Sequence, residues 1–433
     1  MELCLCLNEG SFVFNAFKRI FTEMLRTSLN PVLLLLAILI PLPAAHAQER
    51  FKQDRFAIGL WVNPPVDDRA EARYQDVADA NFNMVIGGFG GGEHDTLVEL
   101  CEKLDLRLIG YAGTADPATL PDSPAIWGYA LRDEPGADDF PALRELADGV
   151  RKTRPGKLPY INLFPNYAVP GQLDAPTYDE HVRKFMEVVQ PEVLSMDHYP
   201  QFHPGNPGRD GRAGYCENLD TFRTHSMKAG VPFWNFFNIM PYGPQTDPTE
   251  AQVRWQIYTS LAYGAKGVMY FCYYTPQGAE FPKGGAIIHV DGRKSRHYGE
   301  AQRINSELKH LGPVLMQLTS EKIVHVDEEE GDVPADKLVG LPITDLTRAP
   351  EDPKGDYLLG AFKHADGRRA VLLNNYHFAY TAWPTVTFDA ALESVIEVNK
   401  ETGEQHPVID DSPLMEGIQI SLGAGEGRLF LLP

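Results

Sequence analysis

At 433 residues, 23% of them charged, with a formal net charge of −20, the chain is long enough for two domains, and its acidity argues against nucleic acid or anionic lipid as partners. Of its five cysteines, Cys4 and Cys6 sit in the N-terminal leader. The remaining Cys101, Cys216 and Cys272 form at most one pair and no Cys-x-x-Cys metal site, so a large apolar core must supply the stability.

The leader contains the apolar run PVLLLLAILIPLP at residues 31–43, with Arg26 as its positive flank and Ala45-His46-Ala47 behind it. A positive flank, a run too short to span a bilayer comfortably and a small-x-small site predict a secretory signal cleaved after Ala47. The mature protein is then secreted or periplasmic and free of the membrane; an uncleaved anchor is the alternative. Met24 reads as the true start. Residues 1–47 carry three charges of each sign, so cleavage leaves the net charge unchanged.

Short buried strands then alternate with helical patterns. Strands are expected at residues 56–62, 83–89, 106–113, 126–135, 158–165, 192–200, 231–240 and 267–276. Helices of clear period fall at 140–153, 178–189, 250–263 and 296–311, with Asp138 or Asp139 able to cap the first of these and Thr249 the third. Eight strand–helix alternations predict an α/β fold, a closed (β/α)8 TIM barrel over residues 48–320. Beyond it only short strands remain, at 357–363, 370–375, 385–388, 395–399, 417–422 and 427–432. They predict a small antiparallel β-sandwich over residues 321–433, with the acid- and proline-rich stretch 328–353 as its irregular start or a linker.

Two stretches invite a chemical reading. Gly87-Gly88-Phe89-Gly90-Gly91-Gly92 follows a strand, but it lacks the G-x-G-x-x-G order, and the next strand does not end on a ribose-binding acid. It reads as a tight barrel loop that lets a sugar approach backbone. The stronger signal is Ile126-Trp127-Gly128-Tyr129-Ala130-Leu131-Arg132-Asp133-Glu134-Pro135, an apolar strand that stops on two adjacent carboxylates. In a β/α barrel the C-terminal strand ends carry the chemistry, and only a strand end lets both side chains reach one cleft. Desolvation and a neighbouring negative charge raise a carboxyl's proton affinity, as general acid catalysis requires. A structural carboxylate cluster paired with Arg132 is the plainer alternative.

These residues resemble the barrel glycoside hydrolases of clan A, especially the β-galactosidase-like family 42, in which an Asn-Glu pair ends strand four and its Glu is the acid/base. The resemblance places Glu134 on that Glu and Asp133 on the Asn that holds the sugar's 2-hydroxyl. The stretches RWQIYTSLAYGAKGVMYF (254–271), His289-Val290-Asp291-Gly292-Arg293 and INSELKHLGPVL (304–315) look like the seventh helix, eighth strand and eighth helix of such enzymes. One departure matters: the family's nucleophilic Glu ends strand seven, and here Phe233-Trp234-Asn235-Phe236-Phe237-Asn238-Ile239-Met240 has no carboxylate. The nearest substitute is Asp197 at the end of strand six, a pairing seen in barrels that resemble α-galactosidases. Asp197 can equally serve only to orient His198. Adjacent Asp-Glu pairs also resemble those of substrate-assisted hexosaminidases.

Sugar-binding side chains are expected among Trp61, Asn63, Tyr111, Asn162, His198, Tyr199, Trp234, Asn235, Asn238, Tyr270, Tyr273 and Tyr274, since aromatic faces stack on sugar C–H surfaces and amides bind hydroxyls. Each is also a candidate for the core. The polar loop 201–215 should shape the pocket, and its Arg209 and Arg212 can bind a uronate or sulfate or simply face solvent. His198, His203 and His289 lack metal-ligand spacing, so neither a catalytic metal nor another cofactor is expected. The expectation is therefore a secreted glycoside hydrolase acting on a poly- or oligosaccharide, with Glu134, Asp197 and Asp133 as catalytic residues. The alternatives are a carbohydrate-binding barrel without catalysis and a substrate-assisted N-acetylhexosaminidase.

Overall fold

Apolar, β-branched and aromatic segments of four to eight residues form eight parallel strands in chain order. They are β1 (Ala57–Trp61), β2 (Met84–Gly87), β3 (Arg107–Tyr111), β4 (Ile126–Asp133), β5 (Leu158–Leu163), β6 (Leu194–Asp197), β7 (Phe233–Asn238) and β8 (Gly267–Phe271), and β8 pairs with β1 to close a barrel. The computed structural model describes residues 49–88, 94–202, 211–279, 281–326, 336–348 and 355–433. The expected signal at 31–47, the glycines 90–92, His203 and Arg209 lie outside the described residues.

Alternate strand residues enter the barrel, where Met84, Ile86, Ile109, Trp127, Leu158, Tyr160, Trp234, Phe236 and Met269 form one interior cluster. The opposite set packs outward against α1 (Ala70–Asp79), α2 (His94–Lys103), α3 (Phe140–Thr153), α4 (Tyr178–Val188), α5 (Gly211–Ala229), α6 (Glu250–Ala262) and α7 (Arg296–Leu315). The alternation is incomplete in one place. After β3 the chain makes only a single 3-10 turn, Pro117–Thr119, because prolines at 117, 121 and 124 leave no run long enough for an α-helix. Thr249 caps α6 through a capping box with Gln252, whereas Asp139 makes no side-chain cap and α3 is entered from a 3-10 turn at Ala137–Asp139.

Behind the barrel two antiparallel sheets face each other over a second apolar core that includes Leu359, Val371, Leu373, Ile420 and Phe430. One sheet has the order β15 (Gln405–Pro407), β14 (Ile396–Val398), β17 (Gly427–Leu432), β12 (Arg369–Asn375), β11 (Tyr357–His364), β9 (Leu318–Val326). The other is β10 (Ile343–Arg348), β13 (Pro384–Phe388), β16 (Ile418–Gln419). Part of the stretch expected to be irregular is therefore strand: residues 343–348 pair with β13, where Leu346 packs into the core while Asp345 stays exposed. The sandwich seats on α6. Gly360 of β11 lies so close to the Ala262 carbonyl that no Cβ fits, and Asn374 Nδ2 donates to the Tyr258 carbonyl at 2.8 Å. Cys101, Cys216 and Cys272 are all free thiols.

Candidate active site

The end of β4 is not a plain strand end. β4 carries one extra residue against each neighbour: Ile109 skips to Gly128 after Leu108 pairs with Ile126, and Ile161 skips to Arg132 after Tyr160 pairs with Ala130. The second bulge reverses the face on which later residues point, so Asp133 falls opposite Asn162 of β5 on the barrel's inner side. Glu134 then takes a left-handed backbone, φ 46°, and its N–H donates to the Asn162 carbonyl at 2.9 Å. A non-glycine residue held in that region is strained, and the turn it makes returns the Glu134 carboxyl to the cleft that Asp133 faces.

Asp197 ends β6 and is buried, 7% exposed, on the same inner side. Its carboxyl lies within hydrogen-bonding reach of Glu134. Asn162 joins the group: its Nδ2 donates to Asp197 Oδ1 at 3.0 Å and to Asp133 Oδ1 at 3.2 Å. Behind it Ser195 Oγ donates to Asn162 Oδ1 at 2.9 Å and pairs with the Tyr160 hydroxyl at 2.9 Å.

Three carboxyl groups in one hollow cannot all ionise freely. Burial, reinforced by the charge of Asp133, raises Glu134 from 4.5 to about 7, against the opposing effect of its hydrogen bond with Asp197. Asp197 is also driven well above its ordinary range, by burial first and then by Glu134 and Asp133. Asp133 keeps an edge open to solvent, yet the walls of the cleft raise it too, against the Asn162 hydrogen bond and the charge of Arg132. Glu134 and Asp197 therefore do not titrate independently, since the charge of Glu134 raises Asp197 while the bond with Asp197 lowers Glu134.

Aromatic rings wall the cleft. Trp61, at the end of β1, meets Tyr111 at 5.4 Å and Phe236 at 5.5 Å between ring centres. The Tyr111 hydroxyl is raised by burial and by Asp133. On the other side Tyr199 meets Phe271 at 5.2 Å and Tyr242 at 5.6 Å, and Tyr242 meets Phe281 at 5.8 Å. Tyr160, Ser195, Tyr242, Phe271 and Phe281 were absent from the sequence reading. The parity of β5, β6 and β8 could have supplied the first two and Phe271, but Tyr242 and Phe281 stand on loops.

The structure leaves other expected sugar ligands away from the carboxylates. Trp234 is the second residue of β7 and lies at the opposite, N-terminal end of the barrel, stacked on Trp127 at 6.1 Å with Nε1 donating to Gln53 Oε1 at 3.0 Å. Asn235 and Tyr270 point outward to the helices: Asn235 Nδ2 donates to the Tyr215 hydroxyl at 2.7 Å, and the Tyr270 hydroxyl donates to Asn305 Oδ1 at 2.8 Å. One residue of offset along a strand exchanges the two faces, which is why strand-end proximity alone misplaces them. Tyr273 is buried against Phe82 at 5.6 Å, and Tyr274 lies under Arg73. Asn63 Nδ2 donates to the Tyr74 hydroxyl at 2.8 Å, so its amide ties the loop after β1 to α1. His198 is turned behind β6 onto Asn218 Oδ1 at 2.9 Å, and burial lowers it to about 4, so it is neutral at physiological pH. Asn238 shares the inner parity of Phe236; its Nδ2 reaches the Thr246 carbonyl at 3.4 Å, and its buried Oδ1 has no partner among the described residues.

Arg212 does not face the cleft as a free anion ligand. It is paired with the buried Asp356 of the sandwich and lies over the Tyr376 ring at 4.3 Å. Among the described residues no three His, Cys, Asp or Glu side chains are placed so that they could hold a metal ion. A cavity of about 880 Å³ opens at the N-terminal end of the barrel, lined by Arg50, Gln53, Met227, Lys266 and Met316 among others, and shares no residue with the carboxylates.

No family model matches the sequence, and no curated protein matches it. Solved structures do. A catalytic mutant of a glycoside hydrolase family 42 β-galactosidase from G. stearothermophilus superposes over 89% of this chain and 100% of its own, with a TM-score of 0.54 and 10% identity. The β-galactosidase of Bacillus circulans sp. alkalophilus matches over 88% and 99%, with a TM-score of 0.53 and 12% identity. The chain covers 60% of the length of the β-galactosidase from the psychrophilic Marinomonas ef1, which covers 59% of this chain at a TM-score of 0.45 and 12% identity. The fold is thus that of the glycoside hydrolase barrels.

Proposed function

We propose that the chain is a glycoside hydrolase in which Glu134 protonates the leaving glycosidic oxygen, Asp197 acts as the second carboxylate and Asp133 holds the sugar. The observation that carries this reading is the Glu134 carboxyl, raised to about 7 and poised against a second carboxyl in an aromatic-walled cleft at the C-terminal end of the barrel. A half-protonated acid at neutral pH can both donate a proton to a leaving oxygen and take it back from water. In the resting site Glu134 is hydrogen-bonded with Asp197; when substrate enters, Glu134 must part from Asp197 and turn to the oxygen. Asp197 is then free as an anion to stabilise the developing positive charge or to activate the nucleophile. Neutral poly- or oligosaccharides are the substrate class in this proposal, and the apolar rings suit their C–H faces.

A second reading is favoured by the adjacency of Asp133 and Glu134 at one strand end, both with raised proton affinity. A substrate that brought its own acetamido nucleophile would need no carboxylate nucleophile, and Asp133, beside Glu134 and open to solvent, would steer that group. Export through the predicted signal belongs to the same proposal and is checked by N-terminal sequencing of the mature protein, expected to begin at Gln48.

The deciding experiment is a panel of nitrophenyl and natural glycosides, with and without N-acetyl groups, assayed with the purified protein and with Glu134→Gln. Hydrolysis that the variant loses on natural glycosides and retains on dinitrophenyl glycosides, whose leaving group needs no proton, supports Glu134 as the acid. Cleavage confined to N-acetyl sugars and blocked by thiazoline inhibitors selects the substrate-assisted reading. Binding without turnover across the panel would overturn both in favour of a carbohydrate-binding barrel.

A further inference from the structure

Every hydrogen-bonding group of the Asn162 side chain is engaged. Its two N–H groups go to Asp133 Oδ1 at 3.2 Å and Asp197 Oδ1 at 3.0 Å, and its carbonyl oxygen accepts from Ser195 Oγ at 2.9 Å. Because the single Ser195 proton points at Asn162, the Tyr160 hydroxyl must be the donor in its 2.9 Å contact with Ser195. The relay Tyr160 to Ser195 to Asn162 is buried throughout, at 2%, 0% and 3% exposure. A flipped amide would set its oxygen against the Asp133 and Asp197 oxygens, so the orientation that turns the N–H groups toward them is favoured.

We propose that Asn162 is a positioning residue that biases the proton of the Glu134–Asp197 pair: its carboxamide, fixed by Ser195 and Tyr160, donates to Asp133 and Asp197 and draws the proton away from Asp197 toward Glu134. The inference deepens the reading of Glu134 as the acid and rests on it for its catalytic meaning. A carboxyl that already accepts a hydrogen bond from an amide gains less by taking a proton, so the Asn162 bond lowers Asp197 and offsets the Asp197 bond that lowers Glu134. Moving the proton from an Asp197 oxygen to a Glu134 oxygen changes no net charge; it changes only which group can deliver it. The other titratable groups whose charge reaches this trio are the cation Arg132 on β4 and the tyrosines Tyr111, Tyr160, Tyr178 and Tyr199, all four with hydroxyls raised by burial and so neutral through the physiological range, that of Tyr178 being committed to the Phe164 carbonyl. None of them hydrogen-bonds Asp133 and Asp197 together as Asn162 does.

The test needs no substrate, so it separates this inference from the enzymatic one. In full-length protein with 13C-labelled carboxyl groups, the Glu134 resonance is identified by its loss in Glu134→Gln and the Asp197 resonance by its loss in Asp197→Asn, and both are titrated by NMR. Asn162→Ala is expected to lower the Glu134 midpoint and raise that of Asp197. Ser195→Ala, which frees the amide to turn, is expected to move both in the same directions by a smaller amount, and Ser195→Thr to restore the wild-type values. Glu134 and Asp197 midpoints unchanged in a folded Asn162→Ala protein would overturn the proposal. Should that variant not fold, unchanged midpoints in Ser195→Ala overturn it instead. In hydrolysis the same variants are expected to narrow the pH profile from both sides, where a merely structural role would lower its height and leave its limbs in place.

Discussion

Replacing Glu134 with glutamine is expected to stabilise the protein above neutral pH while disabling its proposed chemistry. The folded protein raises this carboxyl from 4.5 to about 7, chiefly by burial. The unfolded chain returns it to its ordinary value, so ionising it in the folded state costs about 3 kcal/mol for the full shift. The group is half-buried, and its contact with water reduces the figure to about 2 kcal/mol. Because the folded state binds the proton more tightly, the contribution is fully present below about pH 4.5 and lost as pH rises through about 7. Glutamine keeps the shape, makes the hydrogen bond and carries no charge. Urea unfolding at about pH 8 should therefore show the variant more stable by about 2 kcal/mol, with the advantage gone at about pH 4.5. On natural glycosides the same change should lower turnover by roughly 10²–10⁴, or about 3–5 kcal/mol of barrier. Equal unfolding midpoints of the two proteins at the higher pH would refute the argument, since a solvated, independent carboxyl would pay no such penalty.

Asp197→Asn removes the second carboxyl and should lower kcat/KM on unactivated glycosides by at least about 100-fold; wild-type rates would take Asp197 out of the mechanism. Trp234→Phe, at the far end of the barrel, should cost about 1–2 kcal/mol in thermal or urea unfolding and leave kcat/KM within about twofold of wild type, which checks that this ring does not touch substrate. Asp356→Ala strands Arg212 and His325, whose hydrogen bonds outweigh burial and keep that carboxyl below its ordinary range; a loss of about 2 kcal/mol is expected, read from the melting transition. His297 is buried between Asp247 and Glu300, which outweigh burial and raise it. Its stabilising charge is fully present below the ordinary histidine range and lost as pH rises through the raised value, so His297→Gln should destabilise more at about pH 6 than at about pH 9 in urea titrations.

The barrel was legible because its signals are local and repeated. Short apolar strands, helices of period 3.6 and the helix cap at Thr249 each commit a segment before any tertiary contact forms, and eight such units leave little but a closed sheet. The missing helix after β3 could have been seen in its prolines. The strand at 343–348 could not be read within its acidic, proline-rich surroundings, since it is made a strand by pairing with β13. Among site residues, Asp133, Glu134 and Asp197 stood out as carboxylates ending apolar strands. Asn235 and Tyr270 looked equally suitable and face the helices instead, because a residue's side of the barrel depends on register.

The sequence by itself determined the succession of strands and helices, the acidity of the chain and the presence of carboxylates at two strand ends. Tertiary structure decided how those carboxylates meet. The bulge at Leu131 turns Asp133 inward, the left-handed backbone at Glu134 folds its carboxyl back, and burial raises the proton affinity of both Glu134 and Asp197. Register, backbone hand and desolvation are properties of neighbours distant in the chain, and no single segment encodes them.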